Sequence, residues 1–135
     1  MTTRDDVQWL IREFAGNVPG VVHAVAYAGD GLLLGHSPDL SRDDADRLAA
    51  AGSGVTSLVL GIARVINVGG VQSTVVAFDK GFLFTMSGEA TASILVLGSP
   101  DCDPADITYR LAGVVEKFGE MLARSVPPRQ QGVAG

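Results

Sequence analysis

One cysteine, Cys102, leaves no intrachain disulfide and makes a reducing compartment the simpler setting. Histidine is nearly as scarce. His23 and His36 fall in different expected strands, and neither stands at metal-ligand spacing from a partner. Charged residues make up only 19% of the chain, and the net charge is −5. With no basic stripe, neither nucleic acid nor an anionic membrane surface is an expected partner. No apolar run reaches the roughly 18 residues of a membrane span without a polar interruption. The opening residues MTTRDDVQWLIREF lack the apolar core of a signal peptide. A cytoplasmic protein with no membrane span is the expectation.

Catalytic signatures are also missing. No G-x-x-x-x-G-K-[ST] is present, so the chain carries no phosphate loop of its own. No G-x-S-x-G elbow occurs, and Gly52-Ser53-Gly54 lacks that spacing. Gly29-Asp30-Gly31 is not followed by the ligands of an EF-hand calcium loop. Asp101, Asp103 and Asp106 cluster around Cys102, but helix capping accounts for two of the three. No catalytic residue, cofactor or metal is expected, and the chain does not read as an enzyme.

What is present is apolar. Hydrophobic residues make up 47% of 135 residues. That length suits one domain with a real core and some apolar surface left for a partner. The central feature is SRDDADRLAAAGSGVTSLVLGIARVI, Ser41 to Ile66, which reads as one helix of about seven turns. Ser41 is its N-cap, with Asp44 at the capping-box position. Asp43, Asp44 and Asp46 lie near the positive end of the dipole and Arg64 near the negative end. Ala45, Leu48, Gly52, Val55, Val59, Ile62 and Ile66 step by threes and fours. Ala49, Thr56, Leu60 and Ala63 widen this stripe on one side, and Ala51, Leu58 and Val65 on the other. The apolar arc spans about 200°, where packing on a single neighbour needs little more than ~100°. Such a helix buries against two things: its own sheet, and either another helix of the chain or a second subunit. Gly52, Gly54 and Gly61 suit close approach.

The remaining elements follow in order. A first helix is capped by Thr3 and buries Val7, Leu10, Ile11 and Phe14, with Gly16 as its stop. Strands are expected at Val21–Ala28, Leu32–His36, Gln72–Phe78, Phe82–Ser87 and Thr91–Gly98, with turns at Gly29-Asp30-Gly31, Asp79-Lys80-Gly81 and Gly88-Glu89-Ala90. The first strand is apolar on both faces, with Val21, Val25 and Tyr27 on one and Val22, Ala24 and Ala26 on the other. A sheet apolar on both faces is covered on both. Three helices supply that cover in a three-layer α+β sandwich with a mostly antiparallel sheet. The last helix is capped by Asp103 ahead of Pro104 and buries Ile107, Leu111, Val114, Val115, Phe118 and Leu122. Pro127-Pro128 ends it. The domain is expected over 1–126, with a disordered tail at 127–135.

Val18-Pro19-Gly20-Val21, Gly29-Asp30-Gly31-Leu32, the Ala-rich opening of the long helix from Asp46 to Gly54, and Gly81-Phe82-Leu83-Phe84 together resemble the Roadblock/LC7 domain across about residues 4 to 125. Length and wording are similar to its actinobacterial branch, whose members are encoded beside a sensor-kinase-like protein and a small GTPase. The resemblance implies a five-stranded antiparallel sheet with the long helix on one face and the terminal helices on the other. It also implies a homodimer through the long helix and third strand, here Leu48, Gly52, Val55, Val59 and Ile62 with Ser73, Thr74 and Val75. Bacterial members bind Ras-like small GTPases and tune their nucleotide cycle, some as activators that supply no arginine finger. Exposed Arg47 and Arg64 are candidate partner contacts. Three roles stay open: a homodimeric regulator or scaffold of a Ras-like GTPase; a passive assembly module for a histidine-kinase-like protein; and a small-molecule sensor. The lack of convergent polar groups favours the first two.

Overall fold

The computed structural model of the chain describes residues 3–88 and 92–125. The expected turn at Glu89-Ala90, the strand start at Thr91, and the Pro127-Pro128 stop and tail lie outside the described residues. In chain order the elements are α1 (Thr3–Asn17), β1 (Val21–Tyr27), β2 (Leu33–His36), α2 (Arg42–Ile66), β3 (Thr74–Phe78), β4 (Gly81–Ser87), β5 (Ser93–Gly98) and α3 (Pro104–Ser125). The strands form one sheet in the order β2-β1-β5-β4-β3, every neighbouring pair antiparallel. It is an α+β three-layer sandwich with β2 and β3 at the edges.

Each face has its own core. On one, Val7, Leu10, Ile11 and Phe14 of α1 and Ile107, Leu111, Val115 and Phe118 of α3 pack on Ala24, Ala26, Phe84, Ile94 and Val96. On the other, Ala45 and Ala49 of α2 pack on Val25, Tyr27, Leu33 and Leu95. The starts of α2 and α3 follow their expected caps, whereas Thr3, expected to cap α1, is already its first helical residue. The Ser41 hydroxyl accepts from the Asp44 N–H at 3.1 Å, and Asp103 Oδ1 accepts from Ala105 and Asp106. At its far end α2 stops on Asn67, whose left-handed backbone (φ 56°) aims its N–H at the Ala63 carbonyl.

Three expectations are corrected. Val21 packs with the α1/α3 core rather than with Val25 and Tyr27. The pairing moves from Val21↔Gly98 to His23↔Leu97, so two β1 residues span a single step of β5. The extra residue, Val22, is a bulge that reverses the facing of what precedes it. Second, α1 runs through Gly16 to Asn17. The chain instead turns at Gly20, where φ is +88° and an added Cβ would lie 2.5 Å from Cys102 Cβ. Third, α2 is long and apolar enough by length and composition to cross a membrane, because Ser and Thr barely lower its mean hydropathy. In this fold it lies on a sheet.

Candidate interaction surface

α2 packs on β1, β2 and β5. Its small residues Ala45, Ala49, Gly52 and Ala63 are the buried ones. Ser53 ties it to the β1–β2 hairpin by donating to the Gly29 carbonyl at 3.0 Å. At ~100° per residue, the large side chains Val55, Leu58, Ile62 and Val65 then occupy one flank of the helix, turned progressively away from the sheet, with Leu48 at the border between flank and core. Ile62 is 60% exposed, Leu58 73% and Val65 85%. On the same face of the sheet Leu83 and Leu97, paired across β4 and β5, are only half-buried. β3 lies at that end of the sheet, with Phe78 exposed on the α2 face and Val75, paired with Phe84, exposed on the other. A stripe of large apolar side chains, an incompletely covered sheet face and a strand edge without charge between Gln72 and Phe78 form an apolar surface larger than scattered exposure explains.

The expected contact residues divide on this geometry. Val55 and Val59 are half-buried along the flank, Ile62 is open, Leu48 leans into the α2 core, and Ser73, Thr74 and Val75 lie at the β3 edge. Ser73 precedes the strand, which begins at Thr74. Gly52 does not belong with them. It is buried in its own chain, and an added Cβ would lie 2.6 Å from the Tyr27 hydroxyl. Gly54 and Gly61 have nothing within 4 Å of an added Cβ, so packing within this chain does not require them to be small. Arg47 and Arg64 are exposed, and Arg47 makes a loose 3.9 Å contact with Asp44. Sequence reasoning placed Leu58 and Val65 at the border of the stripe, and it missed Val68 and Phe78 altogether. Phe78 closes β3, and the sheet order leaves it exposed at an edge.

Beneath Gly52 the Tyr27 hydroxyl is buried without a hydrogen-bond partner among the described residues. The neighbouring hydroxyls are engaged elsewhere: Thr56 donates to the Gly52 carbonyl at 2.9 Å, and Ser93 bonds Ser87 at 2.7 Å. Burial pushes the Tyr27 pKa above the ordinary tyrosine value, and Thr56 and Ser93 oppose the rise. Burial, then Asp101 and Asp103, push the Cys102 thiol up as well, which makes it a poor nucleophile at neutral pH. Among the described residues no group of three His, Cys, Asp or Glu could hold a metal ion.

The Roadblock/LC7 domain family model matches residues 7–98. A Roadblock/LC7 domain from Streptomyces avermitilis is 30% identical, with a TM-score of 0.80 over 86% of this chain and 97% of that one. The Myxococcus xanthus protein MglB superposes with a TM-score of 0.83 over 94% of this chain and 95% of its own, at 11% identity. The gliding protein MglB of Thermus thermophilus gives 0.76 over 90% and 91%, at 13% identity. At those identities the two MglB structures speak for the fold alone. No curated protein sequence matches the chain.

Proposed function

Because the chain belongs to the Roadblock/LC7 domain family, we propose that it is a homodimeric regulatory or scaffold partner of a Ras-like small GTPase in a bacterial signalling system. Proteins of this family are regulators or scaffolds, and the residues here fit such work. The observation that carries the reading is the α2 flank. Leu58, Ile62 and Val65 are held in water beside an open β3 edge, and a second copy of the same flank buries both. The two sheets then join through β3, and the α2 helices lie side by side on one face. Arg47 and Arg64, exposed on α2, are the cationic groups offered to the GTPase. A partner of this kind supports a cytoplasmic setting.

The test is GTP hydrolysis by the Ras-like small GTPase encoded nearest the gene, with and without this protein, alongside light scattering for complex formation. Faster turnover at substoichiometric dose identifies an activator, and Arg47→Ala and Arg64→Ala then report which cation the partner uses. Unchanged turnover with a stable complex identifies a scaffold. No complex in either nucleotide state overturns the GTPase reading.

A further inference from the structure

The two edges of the sheet are not alike. Ser37 N–H bonds inward to the Ala24 carbonyl at 2.9 Å, so the antiparallel alternation turns the backbone groups of His36 outward. Both are already taken. Gln8 Nε2 donates to the His36 carbonyl at 2.6 Å, and the His36 N–H donates to Gln8 Oε1 at 3.0 Å. The side-chain amide thus presents one donor and one acceptor, as the next strand's backbone would. Arg4 adds a bond to the Leu33 carbonyl at 3.3 Å. Gly35 permits this closeness, since an added Cβ would lie 3.3 Å from both Gln8 Oε1 and Val7 Cγ1. β3 has no such cover: among the described residues its backbone bonds run to β4 alone.

We propose that Gln8, assisted by Arg4, is a stop on sheet-edge assembly. It closes β2, leaves β3 as the one edge a second copy can extend, and so ends the association at two copies. An exposed strand edge is a template for further pairing, and proteins block it by covering it. With β3 joined to β3 about a two-fold axis, both open edges are consumed and both ends of the enlarged sheet carry a Gln8 cap. Without the cap the β2 edges recruit further chains, and the assembly grows. This inference rests on the homodimer reading above.

The experiment is light scattering after size exclusion, from micromolar to hundreds of micromolar, on the wild type and on Gln8→Met combined with Arg4→Ala. Methionine keeps the length of the side chain and loses both hydrogen bonds. The expected result is a wild type fixed at two copies and a variant whose mass rises with concentration to at least double that. A folded variant that stays at two copies throughout overturns the proposal. If the methionine variant fails to fold, Gln8→Asn, an amide one methylene too short to reach His36, makes the same test. A wild type of single-chain mass contradicts the dimer reading separately. In that case a variant that gains mass still supports the cap, and one that stays single overturns it.

Discussion

Gly52 carries no side chain because Tyr27 fills the space: a Cβ there would stand 2.6 Å from the Tyr27 hydroxyl oxygen and 2.8 Å from its ring carbon Cζ. This contact fixes the rotation of α2. The sheet takes the helix's small side, Ala45, Ala49, Gly52 and Ala63, and the large apolar residues turn outward.

Gly52→Ala sets two effects against each other. Alanine favours the helix by about 1 kcal/mol over glycine, while overpacking a filled core costs about 1–3 kcal/mol. The close ring atom belongs to a side chain that is itself fully buried and has little room to give, so the clash wins. Urea denaturation should show a net loss of about 1 kcal/mol. Tyr27→Phe removes the nearest clashing atom along with an unpartnered buried hydroxyl. The double variant should therefore recover part of the loss, a coupling of about 0.5 kcal/mol or more. Additive effects would mean that the two residues do not meet.

Tyr27 also sets an alkaline limit. Its folded pKa lies above the ordinary value, burial being the main cause. Above about pH 10 the unfolded chain therefore releases the proton while the folded chain keeps it. The unfolded state then binds fewer protons, so stability is fully present below that pH and falls as pH rises through the folded value. Thermal unfolding from neutral pH upward should show this decline in the wild type and a shallower one in Tyr27→Phe. Identical slopes would contradict it.

Cys102 should be a slow thiol. Burial and the flanking Asp101 and Asp103 hold it protonated, and only the thiolate attacks. A colorimetric disulfide reagent at neutral pH should react with it several-fold more slowly than with free cysteine. Asp101→Asn should speed the reaction while leaving the α3 cap, which Asp103 provides, in place. A rate equal to free cysteine would refute the half-buried, acid-flanked thiol.

Local chemistry made much of this fold legible. Ser41, Asp44 and Asp103 mark helix starts by hydrogen bonds that span three residues or fewer. The apolar spacing of α2 announced a helix with two faces to bury. What escaped the sequence depends on partners far along the chain. The bulge at Val22 exists only in register with β5. Gly52 looked like part of an outward face because periodicity gives the width of a stripe and not the direction of the sheet, which the bulk of Tyr27 and Leu95 decides. Phe78 is exposed because β3 lies at an edge, and nothing in its local sequence shows which of its faces the helices leave open. Gln8, one polar residue beside a buried stripe, reads as solvated until β2 comes to lie beside it.

The most direct test of self-association through α2 is sedimentation of the wild type beside Ile62→Glu and Leu58→Glu. Both positions are solvent-exposed in the single chain, so a carboxylate there is harmless to the fold and costly only when a second copy covers it. The wild type is expected at twice the 14.0 kDa chain mass, and both variants at the single mass with an unchanged far-UV spectrum. A wild type that sediments at 14.0 kDa at hundreds of micromolar, or folded variants that keep the doubled mass, would contradict the account.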